Sequence, residues 1–268
     1  IIFLRSVRIK DVICALEKFA PLPLQESYDN AGLQVGLTEV EVSGALLCLD
    51  VTEAVIEEAV DLGCNLIISH HPLLFHKLRA VTDASQVERC VRLAIKNDIC
   101  VYSAHTNVDN ALDGVNYKMA EKLGLVDVQL LNPRLVAGRM AGNGVMGYLP
   151  VEEDSEQFLQ RVKQVFGCEC LMHNDPLERP IQCVVVAGGA ADEFLRDAIA
   201  QEADAFVTGE MRYHLYFGQE QRIQIAVAGH YESEQFTMEI FRDVIYDACP
   251  ELPVFITETY TNPIKYLY

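Results

Sequence analysis

Six side chains able to hold a metal ion stand just beyond three apolar runs of the chain. Leu66-Ile67-Ile68 leads into Ser69-His70-His71-Pro72. Ile99 to Tyr102 leads into Ser103-Ala104-His105-Thr106-Asn107-Val108-Asp109. Ile223 to Ala228 leads into Gly229-His230-Tyr231-Glu232-Ser233-Glu234. Neutral imidazole is the commonest metal ligand in proteins. A nitrogen and oxygen donor set suits zinc, iron or manganese better than thiolate-loving ions. His105 and Asp109 are four residues apart, as are His230 and Glu234, a spacing that puts each pair on one face of a helical turn. Each cluster also has a plainer explanation. Adjacent histidines occur by chance, Asp109 would cap a helix starting near Ala111, and Glu234 would favour a helix N-terminus capped by His230. Three such clusters, each at the end of a strand-like run, are harder to explain in that way together.

The elements that must position these groups alternate. The spacing predicts helices over 8–19, 52–62, 85–97 and 111–123, and strands over 43–50, 65–69 and 99–103. Repeated β-α units of this kind predict a mostly parallel sheet covered by helices. Ligands bind at the carboxyl ends of strands in open sheets of that type. A second α/β series follows. It has a strand at 145–148, a helix at 154–166, strands at 181–187, 205–208 and 223–228, and helices over 192–202 and 212–219. A long helix over 233–248 and a strand over 253–258 close the chain. The expected architecture is two linked α/β domains with mixed, mostly parallel sheets. The first domain comprises 1–125 plus 229–268 and carries most of the metal ligands. The second comprises 126–228.

Two strand ends outside the clusters invite a functional reading. Ala187-Gly188-Gly189-Ala190-Ala191 could hold an anion on backbone N–H groups. It lacks the full dinucleotide-binding glycine pattern, so a tight turn is the better reading. Thr208-Gly209-Glu210-Met211-Arg212-Tyr213-His214 could offer Arg212 to an anionic substrate and His214 to proton transfer.

Composition narrows the class. The 268 residues are 50% apolar and 22% charged, enough for a substantial core. No apolar run approaches a bilayer-spanning length, and Ile1-Ile2-Phe3-Leu4-Arg5 is too short for a secretory signal. The net charge of −18 makes nucleic acid a poor partner, because phosphate binding needs clustered Lys and Arg. Nine cysteines, an odd number with no Cys-x-x-Cys, suit a reducing cytoplasm. Cys168-Glu169-Cys170 has no second thiol pair nearby in sequence, so a soft-metal site there is the weaker reading.

Five segments, spread in order over almost the whole chain, resemble the NIF-three-like family, also described as GTP cyclohydrolase I type 2 homologues or dinuclear-metal-centre hexameric proteins. They are Tyr28-Asp29-Asn30-Ala31-Gly32-Leu33-Gln34-Val35-Gly36, Ser69-His70-His71-Pro72, His105-Thr106-Asn107-Val108-Asp109, Thr208-Gly209-Glu210 and Gly229-His230-Tyr231-Glu232-Ser233-Glu234. The resemblance implies a metal-binding cleft between the two α/β domains, with two divalent metal ions per subunit held by His70, His71, Asp109, His230 and Glu234 and with His105 as a neighbouring group. It implies a homohexamer built as a trimer of dimers. The family's usual Thr-Gly-Asp stands here with Glu210 in its third position, which leaves the role of Glu210 open.

The expected function is hydrolysis of a nucleotide-like or other small substrate by a dinuclear metal centre, with His105 or His214 moving protons. The alternative is a non-catalytic metal-binding scaffold or regulatory protein that forms a hexameric ring.

Overall fold

The structure is a computed structural model and describes residues 6–267. The apolar start, Ile1 to Arg5, lies outside them. The chain runs α1 (Ile9–Phe19), β1 (Gly32–Val35), β2 (Ala45–Cys48), α2 (Glu53–Asp61), β3 (Leu66–Ser69), α3 (Gln86–Lys96), β4 (Cys100–Ser103), α4 (Thr106–Asp109) and α5 (Val115–Leu123). It continues through β5 (Val126–Leu130), β6 (Arg134–Val136), β7 (Arg139–Ala141), β8 (Val145–Glu153), α6 (Ser155–Phe166), β9 (Met172–His173), β10 (Ile181–Ala187), α7 (Leu195–Ala200), β11 (Ala205–Thr208) and β12 (Gln224–Val227). The last elements are α8 (His230–Glu234), α9 (Thr237–Ala248) and β13 (Val254–Ile256).

Two compact units result. The first holds residues 6–108 and Thr237–Pro263, and the second holds Asp109–Phe236 and 264–267. These boundaries differ from those expected, 1–125 plus 229–268 and 126–228. Packing explains the first shift. Met119, Ala120 and Leu123 of α5 bury against Val145, Phe158 and Val184 of the second unit's core, so α5 belongs there. The second shift follows from a break after Glu234. The single helix expected over 233–248 is two, and only α9 joins the first unit. His230, Glu234 and Asp109 therefore all belong to the second unit.

In the first unit, five strands lie in the order β1-β4-β3-β2-β13. β4, β3, β2 and β13 run parallel, and β1 is an antiparallel edge. Strands β2, β3 and β4 are buried at every position, as parallel strands covered on both faces must be. The helices begin where their side chains cap them. Thr52 Oγ1 accepts from the N–H of Val55, and Ser85 Oγ from that of Glu88. The strand Gly32–Val35 carries no sustained alternation and was not expected.

The second unit's sheet has the order β5-β8-β10-β11-β12-β9, with β10, β11 and β12 parallel. Phe158 and Phe166 of α6 are wholly enclosed on one side, and Phe206 fills the other. Each such side chain contributes about 1.5–3 kcal/mol on burial. The helix expected from Ala111 starts only at Val115, behind Gly114, because Ala111 bridges to Ala141 instead. The segment expected to be helical over 212–219 is a short 3-10 turn, Tyr213–Tyr216. Mixed α/β architecture with mostly parallel sheets is thus as expected.

All nine cysteines are free thiols. Burial and the nearby Glu232 charge push the Cys168 thiol up to about 12. Among the described residues, no helix is long and apolar enough to cross a membrane.

Candidate metal centre

The parallel strands of the first unit deliver their chemistry at one edge. Ser69 of β3 is in register with Ser103 of β4, so His70 and Ala104 leave the sheet side by side. His70 Nδ1 lies 3.0 Å from the Ala104 carbonyl oxygen. A carbonyl only accepts, so Nδ1 carries the proton and Nε2 carries the ring's lone pair. The hydroxyls of Ser69 and Ser103 lie 2.7 Å apart, and the Ser69 hydroxyl donates to the His71 carbonyl, which fixes the backbone between the two imidazoles.

His71 and His105 are oriented by carboxylates. His71 Nδ1 donates to Asp50 Oδ1 at 2.8 Å, and His105 Nδ1 donates to Asp29 Oδ1 at 2.7 Å. Both rings therefore also present Nε2 as the acceptor. The three rings sit 5.0, 5.2 and 5.5 Å apart by centroid. One nitrogen from each lies within 4.8 Å of one from each of the others. Clustered lone pairs of this kind, each fixed by an acceptor on the far side of its ring, are how proteins prepare imidazoles for a cation.

The side chain of Asp29 is enclosed, although its backbone is partly exposed. Burial would raise its carboxyl. Hydrogen bonds from His105, from the Thr106 hydroxyl and from the Asn30 N–H outweigh that and hold it at about 2. A depressed folded value stabilises the protein above the unfolded value and is lost as pH falls through the folded one. Asp29 should thus add about 2 kcal/mol above pH ~4, fading as pH falls toward 2. Asp29→Asn should remove that part of the acid-denaturation profile. Identical wild-type and variant profiles between pH 2 and 5 would refute the assignment.

The second unit builds its own cluster on α8. His230 and Glu234 face each other across one turn, with His230 Nε2 3.1 Å from Glu234 Oε2. At the other nitrogen, His230 Nδ1 lies 2.7 Å from Glu210 Oε1. An imidazole with a carboxylate at each nitrogen is satisfied in two ways. It is doubly protonated and donates to both, or it is protonated at Nδ1 alone with a cation between Nε2 and Glu234. Asp109, at the end of α4, brings a carboxylate oxygen within 4.8 Å of one from Glu234. It does not cap α5, and its carbonyl accepts from Asn116 Nδ2 at 3.0 Å.

The Gly188-Gly189 turn is pressed against this pair. Gly189 has φ +63°, and a Cβ there would fall 2.2 Å from Glu234 Oε1 and 3.5 Å from His230 Nε2. The Gly189 carbonyl accepts from the N–H groups of Gly209 and Glu210, at 3.1 and 3.0 Å. The turn thus shapes the His230–Glu234 pair, and Glu210 links turn and imidazole through backbone and side chain.

The remaining candidates lie elsewhere in the second unit. His214 is exposed and packs its ring against Tyr213 and Phe217, at 5.2 and 6.2 Å. Among the described residues, no grouping of possible ligands includes it. The charge of Arg212 is engaged by Asp192, which accepts from Nε at 2.6 Å and from Nη2 at 3.1 Å. Sequence reasoning missed Asp29, Asp50 and Glu210 as orienting groups. Asp29 and Glu210 do lie inside segments that resembled the family, which was the available signal.

An α/β fold with buried His and Glu groups that could hold metal ions defines the class of this protein. The chain belongs to the Duf34/NIF3 (NGG1p interacting factor 3) family, whose profile matches residues 7–263. It is 32% identical over 267 residues to the GTP cyclohydrolase 1 type 2 homolog of Clostridium acetobutylicum, covering 97% of this chain and 99% of that one. It is 28% identical to NIF3-like protein 1 of Drosophila melanogaster, over 96% of this chain and 88% of the relative. The crystal structure of a Bacillus cereus protein related to NIF3 has the same fold, with TM-score 0.90 and 24% identity over 98% of this chain and 100% of that one.

Proposed function

We propose that this protein is a dinuclear metal-dependent hydrolase acting on a nucleotide-like or other small substrate. His70, His71, Asp109, His230 and Glu234 would be the ligands of two divalent ions, zinc, iron or manganese. The observation that carries this reading is the common orientation of the imidazoles. His70, His71, His105 and His230 each have an acceptor at Nδ1, so Nε2 is the nitrogen that each would turn to a cation. Divalent ions in such a set supply Lewis acidity and make bound water more acidic.

The chain's own residues do the rest. Asp50 and Glu210 hold two imidazoles in the ligating tautomer. Of the two histidines considered for proton transfer, His105 has an orienting carboxylate and His214 has aromatic neighbours instead, so proton transfer is assigned to His105. The names of the curated relatives favour GTP as the first substrate to test. The hexameric ring belongs to the same reading and is checked by the mass in solution.

Metal-loaded wild type should hydrolyse at least one member of a panel of GTP, other nucleotides and phosphorylated metabolites. His71→Ala should fall to background. Metal uptake without turnover above His71→Ala on the whole panel would replace this reading with the metal-binding scaffold.

A further inference from the structure

Three polar residues that follow the adjacent parallel strands β13, β2 and β3 meet beyond the carboxyl ends of these strands. These are Thr261 after β13, Asp50 after β2 and His71 after β3. The three are joined in that order. Thr261 Oγ1 donates to Asp50 Oδ2 at 2.8 Å, and Asp50 Oδ1 accepts from His71 Nδ1 at 2.8 Å. The two carboxylate oxygens are thus engaged on opposite sides, which fixes the plane of the carboxylate and, through it, the plane of the imidazole.

The segment carrying Thr261 is itself tied down. Past β13, the N–H of Thr257 still bonds the Leu47 carbonyl at 2.9 Å, extending the parallel ladder. Glu58 of α2 then collects the next residues. Its carboxylate accepts from the hydroxyls of Thr257 and Thr259 and from the N–H groups of Glu258 and Thr259. Glu58 is held below the usual carboxylate range: burial would raise it, and these hydrogen bonds outweigh that. The alternation Thr257, Thr259, Thr261 sends two hydroxyls to Glu58 and the third to Asp50.

We propose that Thr261 is a positioning residue for His71 and that its hydroxyl, acting through Asp50, tunes the metal affinity of this edge of the first sheet. The inference rests on the metal reading above. It adds a hydroxyl, from a segment no motif singled out, that holds the carboxylate behind a ligand.

The test is Zn²⁺ affinity measured by competition with a chromophoric chelator. It compares wild type, His71→Ala, Asp50→Asn, Thr261→Val, Thr261→Ser and Thr259→Val, each checked for folding by circular dichroism. Asp50→Asn should weaken Zn²⁺ binding about 10–100-fold, and Thr261→Val about 3–10-fold. Thr261→Ser, which keeps the hydroxyl, should match wild type. Thr259→Val, which loosens the segment without touching Asp50, should also stay near wild type. Two results would overturn the proposal: Thr261→Val binding as tightly as wild type while His71→Ala is weakened, or Thr259→Val weakened as much as Thr261→Val. If Thr261→Val does not fold, Thr261→Ala is read by the same criteria. A wild type that takes up no Zn²⁺ would end the metal reading itself, and this inference with it.

Discussion

Glu234→Gln should lose metal from the second unit's cluster and lower any hydrolytic rate at least about a hundredfold. The substitution keeps volume and shape, so the close packing beneath the Gly188-Gly189 turn should survive. It removes the negative charge at 3.1 Å from His230 Nε2 and puts an amide in its place. A neutral amide binds a divalent ion far more weakly than a carboxylate. Metal ions stabilise developing charge by several kcal/mol, and each 1.36 kcal/mol is about tenfold in rate, so the loss should be large. Metal content by plasma mass spectrometry and turnover on the responsive substrate would be read together, beside a thermal melt. Unchanged metal content in a folded Glu234→Gln protein would remove Glu234 from the ligand set.

That residue was readable from sequence for a simple reason. Its spacing from His230 is local, and local spacing maps directly onto one turn of α8. The same holds for His70 and His71, which follow a run of apolar residues too short to be anything but a buried strand end. The orienting groups were a different matter. Asp50 reaches His71 from 21 residues away and Asp29 reaches His105 from 76. Nothing in their neighbours' periodicity announces such a pairing. Only strand order places them, because β2 lies beside β3 and β1 beside β4. The misplaced unit boundary has a similar origin. Residues 233–248 keep an amphipathic pattern across the break between α8 and α9, so pattern alone joins what packing divides. The glycine turn illustrates a third limit. A Gly-Gly pair between strand and helix reads as a tight turn in preference to an anion cradle, but the sequence does not show what the turn packs against. That neighbour is the carboxylate of Glu234, from 45 residues on.

Gly189 offers the sharpest test of that packing. Gly189→Ala should cost about 1–3 kcal/mol of stability and weaken metal binding at His230 and Glu234. Two effects combine. The residue sits at φ +63°, where an L side chain costs about 1–2 kcal/mol. Its Cβ would also fall 2.2 Å from Glu234 Oε1 and 3.2 Å from Glu234 Cδ. Glu234 is only 5% exposed, so its carboxylate cannot swing into solvent to make room. It must move relative to His230, and the pairing across α8 is lost. Gly167→Ala separates the two effects. Gly167 caps α6 at φ +67°, and a Cβ there would meet nothing within 4 Å. Gly167→Ala should therefore carry the backbone cost alone and leave metal affinity untouched. Chemical denaturation and Zn²⁺ titration of both variants give the comparison. Equal stability loss and equal metal affinity in the two would show that the turn does not shape the ligand pair.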